Sequence, residues 1–545
     1  MEEKTQTEDK KRRIKRFIDI HPPVFVPSAI IIVVFIAITL IVGEPMENVF
    51  LAVQNAITEN TGWLFILVVN FFLFFMIYLA LSKFGNIRLG GQSSVPEFNR
   101  SAWFAMLFSA GMGIGILFWS VAEPVFHFLE PPMAEGKTVA ASEESMNFSF
   151  LHWGLHAWGI YALVGMALAF FSFNRKMPLA IRSVFYPLFG NRIHGRLGNA
   201  IDILATIATV FGLATSLGFG VRQVNSGLNY LTGLSISPEV QVVLIVVITL
   251  IATGSVVSGL ESGVKRLSEL NINLGALLLV FVIIFGPTLF ILDSYGQNLG
   301  AYIESFFYKS LWAESYRGGS WQHDWTIFYW AWWISWSPFV GMFIARISIG
   351  RTIREFVLGV LIVPTLLTFL WLTAFGGSAV FMELNGVHTV SEVIREDVAL
   401  SLFRLLENFP LAYVTNILAI LLIVSFFVTS SDSGSLVVDM FTSGGKLETP
   451  VYQRVFWAFS VGGVAAVLLL GGGLKALQTA AITTGLPFAL ILVLMSRSLL
   501  KGLRLEHYQM LELKREKEKE SYRELLDDAL HKRRDSDSEK QSEKE

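Results

Sequence analysis

The chain has 545 residues, of which 53% are hydrophobic and only 16% are charged. Globular soluble domains carry roughly 25% charged residues, so this composition excludes a soluble protein and indicates a polytopic membrane protein. The formal net charge of −2 gives no reason to expect a nucleic-acid partner, and the absence of cysteine excludes disulfides and cysteine-bound metals.

Apolar stretches near the length of a membrane-crossing helix, about 20 residues, recur along the whole chain. Twelve are found, at 24–43, 62–82, 102–124, 149–173, 200–221, 239–259, 273–293, 325–347, 355–380, 411–430, 453–471 and 479–498. The sequence therefore predicts an all-α membrane protein with twelve transmembrane helices. The even number places both termini on the same side of the membrane.

The charges between these stretches predict the orientation, because short cytoplasmic loops collect Lys and Arg. The N-terminal tail and the loops after even-numbered stretches are basic, with Lys10 to Arg16, Lys83, Arg88, Arg175, Lys176, Arg182, Arg192, Arg196, Lys265, Arg266, Arg351, Arg354, Lys446 and Arg454. The loop after the first stretch has three Glu and no Lys or Arg. Both termini are therefore predicted to be cytoplasmic. The first stretch lacks a small-residue cleavage site, so we expect an uncleaved helix.

Two stretches carry residues that disfavour a continuous helix. The third contains Gly111, Gly113 and Gly115, and each Gly weakens a helix by roughly 1 kcal/mol relative to Ala. The eighth contains Ser337-Pro338, where proline removes a backbone donor. Two interrupted helices at corresponding positions are typical of a transporter binding site. For each break taken alone, a packing glycine or a simple proline kink is the alternative.

Tryptophan is concentrated in the eighth stretch, where five of the fourteen lie between Trp325 and Trp336. Three of these, Trp332, Trp333 and Trp336, lie well inside the stretch. Because the face of an indole ring attracts cations, clustered tryptophans suit a quaternary ammonium group, which cannot donate a hydrogen bond. The alternative is an aromatic belt at the membrane interface.

The fourth stretch contains a second aromatic group, Trp153, Trp158 and Tyr161. On a regular helix these three residues fall within a sector of about 140°, so they are predicted to face one cavity. Ordinary aromatic packing between helices is the alternative. His152 and His156 lie on the same helix, and we expect them to pack beside the tryptophans.

The tenth stretch ends in a run of hydroxyl residues followed by Asp432. Hydroxyl and carbonyl oxygens are hard ligands that suit a small cation, and Thr429 and Ser430 are deep enough to bind one. Capping of a cytoplasmic helix end is the competing interpretation.

The C-terminal segment from Lys501 has a mixed-charge composition, with twelve Lys or Arg against thirteen Asp or Glu. Such a segment can form a solvated helix, and its basic residues can contact anionic lipid. A solvating tail without a specific partner is equally compatible with the sequence.

Together these segments resemble the betaine/choline/carnitine transporter family over all twelve stretches, most specifically between Trp325 and Glu355. The resemblance implies a leucine-transporter-like fold with two inverted five-helix repeats. The implied units are an N-terminal tail (1–23), two peripheral helices (24–100), a first repeat with its external linker (101–324), a second repeat (325–500) and a cytoplasmic tail (501–545).

The resemblance also implies the site residues. An aromatic box for a trimethylammonium group maps to Trp153, Trp158, Tyr161 and Trp333, with Trp332 and Trp336 along the path and the backbone of Gly111, Met112 and Gly113 near the substrate carboxylate. One sodium site maps to Ala110, Met112, Phe426, Thr429 and Ser430, and a second to Thr209 and Phe339.

Two positions bear on the expected activity. Leu213 replaces a Thr of the best-matched betaine carriers, which puts the second sodium site and the stoichiometry in question. Gly115 stands where proton-coupled choline carriers tend to have Asp, which favours sodium and a zwitterion.

The sequence thus predicts a sodium-coupled importer of glycine betaine or a related compatible solute in the plasma membrane, serving osmoprotection by alternating access. An ectoine or choline carrier, a channel and a non-transporting osmosensor are the alternatives. No cofactor besides sodium is expected, and no His-Glu-x-x-His motif indicates an enzyme. The resemblance is also compatible with a homotrimer.

Overall fold

The computed structural model describes residues 18–111, 113–258 and 263–542, and their side chains except at 108–111, 256, 258, 263–266 and 532–542. Within these ranges the chain is almost entirely helical, and the only bridge between extended residues joins Arg88 to Thr352. An all-α membrane protein is therefore confirmed.

The α-helices are α1 Pro22–Val42, α2 Met46–Leu81, α3 Arg100–Gly111, α4 Ile114–Leu129, α5 Val139–Trp153, α6 Leu155–Ala169, α7 Tyr186–Phe189, α8 Arg196–Thr232, α9 Pro238–Ser258, α10 Gly263–Phe285, α11 Thr288–Leu311, α12 Phe328–Ile347, α13 Ile353–Leu372, α14 Ser378–Leu384, α15 Ser401–Glu407, α16 Ala412–Thr442 and α17 Val451–Ser542. Three π-helical turns extend them, at Phe170–Asn174, His323–Ile327 and Thr373–Gly377. Short 3-10 turns lie at Lys83–Asn86, Ile181–Phe185, Gly190–His194 and Val398–Leu400.

Nine helical segments of the described chain are long and apolar enough to cross a membrane. The third stretch is split between α3 and α4, and the last two stretches share α17, which is kinked at Gly472 and Gly473. The count of twelve crossings accordingly stays a prediction.

The glycine-rich interruption occurs where it was predicted. Helix α3 ends at Gly111 and α4 begins at Ile114, with Gly113 in an extended conformation. Met112 lies outside the described residues. The third stretch is thus divided into two shorter helices, and the end of a helix leaves backbone groups without partners inside that helix.

The second predicted interruption, at Ser337-Pro338, is wrong, because α12 continues through Pro338 to Ile347. Proline leaves the carbonyl of Ile334 without its usual amide donor. The Ser337 hydroxyl donates to that carbonyl at 2.7 Å, so the backbone stays satisfied inside the apolar stretch.

An unexpected break lies at Gly154, whose backbone is not helical (φ −93°, ψ −138°) and separates α5 from α6. The regular helix assumed for Trp153, Trp158 and Tyr161 is therefore wrong. A Cβ at Gly154 would lie 2.7 Å from the Phe369 ring, so α13 approaches the backbone closely at this point.

Three predicted boundaries also need correction. Helix α2 begins at Met46, so the acidic first loop is mostly helical. The seventh stretch ends at Phe285 instead of residue 293, because Gly286-Pro287 interrupts it before α11. Helix α16 continues to Thr442, where Gly444 and Gly445, both with positive φ, reverse the chain.

The position of each stretch in the molecule follows from its burial. In the most apolar part of the segment Val139–Asn174, 94% of the residues are buried, against 22% for α1 and 17% for Leu267–Phe285. The fourth stretch therefore runs through the centre of the molecule, whereas the first and seventh lie at its lipid-facing periphery. Helix α17 extends the twelfth stretch far beyond the core, and its side chains at 511–531 are exposed.

Candidate functional site

The two aromatic groups meet at the centre of the molecule, between α12 and the α5–α6 break. The centre of the Trp333 ring lies 4.9 Å from the centre of the Trp153 ring and 6.3 Å from that of the Tyr161 ring, and both pairs are edge to face. Trp336 lies 6.2 Å from Tyr161 and 6.4 Å from Trp333. Trp158 contacts Tyr161 at 5.7 Å. The structure thus brings these aromatic residues of both stretches into one cluster.

The exposure of the rings distinguishes between the alternatives raised by the sequence. Trp153, Tyr161, Trp333 and Trp336 are each at most 6% exposed. An interfacial belt needs rings that reach the lipid headgroups, so a belt does not account for these residues.

Trp332 packs behind Trp333 in the aromatic cluster. Its ring stacks on Trp333 at 4.6 Å, contacts Phe219 edge to face at 5.1 Å and is fully buried. Trp332 therefore forms the wall behind the cluster, and its expected place along the substrate path stays a prediction.

The interrupted third stretch closes this cluster on one side. A Cβ at Gly115 would lie 2.6 Å from the Trp332 ring and 3.3 Å from the Trp153 ring. A Cβ at Gly113 would lie 3.6 Å from the Trp336 ring. Only glycine permits the start of α4 to approach the rings this closely at Gly115, so the backbone at the helix break lies beside the aromatic faces. Ala110 precedes this break, and its side chain is outside the described part of the structure.

Two polar groups of the cluster have no hydrogen-bond partner among the described residues, the Tyr161 hydroxyl and the Trp336 indole N–H. Buried polar groups are normally paired, so these two unpaired donors could bond a ligand that enters the cluster. Aromatic faces for a cation and free donors for an anion therefore occur in the same place.

Sequence reasoning missed the polar group behind the rings. The carboxylate of Glu123, on α4, accepts from the Trp153 indole at 2.7 Å and from the Tyr329 hydroxyl. Its other oxygen lies 2.6 Å from Nδ1 of His152 and 3.3 Å from Nε2 of His127. The only signal in the sequence was the spacing of Glu123 and His127, which places them on one helix face.

The hydroxyl residues of the first implied sodium site lie in the middle of α16. Thr429 donates to the carbonyl of Ser425 at 2.8 Å and accepts from the Asn271 amide at 3.0 Å. The capping interpretation is wrong, because α16 continues for thirteen residues after Thr429, to Thr442. Ser430, which follows Thr429 in the helix, is half-buried, and the side chain of Phe426 is 8% exposed.

The second implied sodium site involves α8 and α12. Thr209 is fully buried and its hydroxyl donates to the carbonyl of Ala205 at 2.7 Å. Phe339 contacts Trp336 at 5.8 Å and so adjoins the aromatic cluster. Leu213 fills the position one turn after Thr209 with an apolar side chain that packs against Gly434. The Leu213 side chain therefore offers no oxygen ligand to a cation.

A family model described as BCCT, betaine/carnitine/choline family transporter, matches residues 23–508. A glycine betaine transporter of Acinetobacter baylyi is 46% identical over 496 residues, which are 91% of this chain and 75% of that protein. A glycine betaine/proline/choline transporter of Vibrio parahaemolyticus is 47% identical, covering 89% of this chain and 90% of that protein.

A second Vibrio parahaemolyticus protein, a glycine betaine/proline/choline/ectoine transporter, is also 47% identical, over 90% of this chain and 88% of its own length. The chain therefore belongs to the betaine/carnitine/choline transporter family and is a multi-pass membrane transporter, not an enzyme.

Proposed function

We propose that the protein is a secondary active symporter that imports glycine betaine, or a related compatible solute, together with sodium. The observation that carries this proposal is the buried cluster of Trp153, Tyr161, Trp333 and Trp336 against the interrupted third stretch. Rings at right angles to one another surround a methylated ammonium group with π-faces, and in a desolvated site each such contact contributes about 2 kcal/mol.

A zwitterion fits the cluster better than a plain cation. The carboxylate of Glu123, which lies beside the rings, already accepts hydrogen bonds from Trp153 and Tyr329. The free donors of Tyr161 and Trp336 suit a ligand that brings its own carboxylate. The relatives named for glycine betaine support this choice, and those also named for proline, choline and ectoine supply the alternatives to be tested.

The energetics of accumulation support coupling to a cation, and we propose sodium. A neutral zwitterion gains nothing from the membrane potential, whereas each sodium ion entering the cell supplies about 2.3 kcal/mol per 100 mV. The hydroxyls of Thr429 and Ser430, two consecutive half-buried residues of α16, support a cation site. Alternating access would expose this site and the aromatic cluster first to the outside and then to the cytoplasm.

The proposal is tested by uptake of labelled glycine betaine into cells that lack their own carriers. Uptake is compared in sodium and in potassium medium, at low and high osmolality, with unlabelled proline, choline and ectoine as competitors. Saturable uptake that requires sodium and rises with osmolality is expected. Uptake that does not saturate would indicate a channel, and no uptake of any of these solutes would favour a sensor.

A further inference from the structure

We infer that Glu123 is a positioning residue for the aromatic cluster, acting through Trp153, Tyr329 and His152. This inference rests on the proposed function and deepens it. Glu123 is fully buried in the second half of α4, and its carboxylate contacts residues of α5 and α12.

Each oxygen of the carboxylate has a defined role. One accepts the Trp153 indole N–H at 2.7 Å and the Tyr329 hydroxyl, and the other lies 2.6 Å from Nδ1 of His152. An indole ring can rotate about two side-chain bonds, so a charged acceptor on its N–H fixes which face it presents. Glu123 therefore determines the orientation of Trp153 toward Trp333.

His152 connects Glu123 to a second ring of the cluster, that of Trp333. Its Nε2 lies 2.9 Å from the Thr326 hydroxyl, and its backbone carbonyl accepts the Trp333 indole N–H at 2.8 Å. A neutral His152 with its proton on Nδ1 satisfies both contacts of its ring. The Trp333 and Trp153 rings, which lie 4.9 Å apart, are thus both tied to the residues bonded by Glu123.

A metal site is the competing use of this cluster, since Glu123, His127 and His152 place ligand atoms within 4.8 Å of one another. A histidine pair with a carboxylate suits a transition metal. However, two of these three side chains already have partners. The Glu123 carboxylate bonds His152, Trp153 and Tyr329, and His152 also bonds Thr326. The contacts therefore favour positioning, and a bound metal is a separate outcome of the test.

The test compares Glu123→Gln and Tyr329→Phe with the wild type. Glu123→Gln keeps the size of the side chain but removes the charge, and Tyr329→Phe removes one donor without removing the ring. We expect the apparent KM for glycine betaine to rise about tenfold for Glu123→Gln and about threefold for Tyr329→Phe, with a smaller change in Vmax. The matched control is Glu130→Gln, on an exposed residue at the end of the same helix.

A second readout follows the rings directly. The wild type and both variants are purified, and their tryptophan fluorescence is titrated with glycine betaine. A Trp153→Phe variant and its combination with Glu123→Gln complete a double-mutant cycle, in which the two effects should be markedly less than additive if Glu123 acts through the Trp153 indole.

The outcomes separate the inference from the proposed function. A wild type that neither takes up glycine betaine nor responds in fluorescence defeats the proposed function. A responsive wild type whose Glu123→Gln and Tyr329→Phe variants match it in KM and in fluorescence defeats the inference alone. Stoichiometric zinc or another transition metal in the purified wild type, lost in Glu123→Gln, would replace positioning by a metal site.

Discussion

Trp333 joins the aromatic residues of α12 to those of α5 and α6. Its ring touches Trp153, Tyr161 and Trp336, and its indole N–H donates to the backbone of His152. The residue types of the cluster were readable from the sequence because tryptophan is rare and was concentrated in one stretch. Glu123 was not, because a single carboxylate in an apolar helix has no pattern until its partners from other helices are known.

Replacing Trp333 by Leu should raise the apparent KM for glycine betaine about tenfold or more, because a leucine offers no π-face to the ammonium group. The variant should still insert into the membrane at normal levels. Initial uptake rates over a range of substrate concentrations check this. Trp63→Leu is the matched control, since Trp63 is 59% exposed and far from the cluster in sequence. An unaltered affinity in Trp333→Leu would remove this residue from the binding site.

The Thr429→Ala, Ser430→Ala double variant should need a severalfold higher sodium concentration for half-maximal uptake, because both hydroxyl ligands are lost. Thr429→Ser is the control, since it keeps the hydroxyl that bonds Ser425 and Asn271. Sodium titrations of uptake at fixed glycine betaine measure the effect. The same sodium dependence in all variants would count against a cation site on α16.

At the scale of helices, the two suspected interruptions had different outcomes for a physical reason. The third stretch needs glycine where α4 approaches the rings, since a Cβ at Gly115 would lie 2.6 Å from the Trp332 ring. At Pro338 the neighbouring Ser337 satisfies the freed carbonyl of Ile334, so α12 stays continuous. The break at Gly154 could not be predicted, because it depends on the close approach of Phe369 from a distant part of the chain.

Ser337→Ala should lower the thermal stability of the purified protein, because the carbonyl of Ile334 loses its donor inside the apolar stretch. The cost should be about 1 kcal/mol. The double variant Ser337→Ala, Pro338→Ala should recover stability, since replacing the proline by alanine restores a backbone N–H to the helix. Thermal unfolding in detergent compares the two. If the single variant is as stable as the wild type, the Ser337 hydroxyl does not compensate for the proline.

At the scale of the whole molecule, composition and charge predicted a polytopic helical protein, and this is confirmed. The ends of the helices were less predictable. Helices α2, α16 and α17 all extend beyond their apolar stretches, because a change to a more polar composition does not by itself end a helix. Hydropathy reports the apolar thickness crossed by a helix and says little about the full length of that helix.

The predicted orientation is testable because the chain has no cysteine, so a single introduced cysteine reports one position. Tyr316 is fully exposed between α11 and α12, and Tyr522 is 70% exposed on the C-terminal part of α17. A membrane-impermeant maleimide should label the Tyr316→Cys variant in intact cells and the Tyr522→Cys variant only after permeabilisation. The reverse pattern would overturn the cytoplasmic assignment of the termini.

The approach of Gly115 to Trp332 has a consequence for how substrate preference can evolve. An aspartate at position 115 would place its Cβ 2.6 Å from a fully buried ring, that of Trp332. That ring cannot shift alone, since it is stacked on Trp333 and held by Phe219. We therefore expect Gly115→Asp alone to displace Trp332 and to lower activity. A prior change that makes room in the aromatic wall should relieve this cost, so the order in which the two mutations occur would matter.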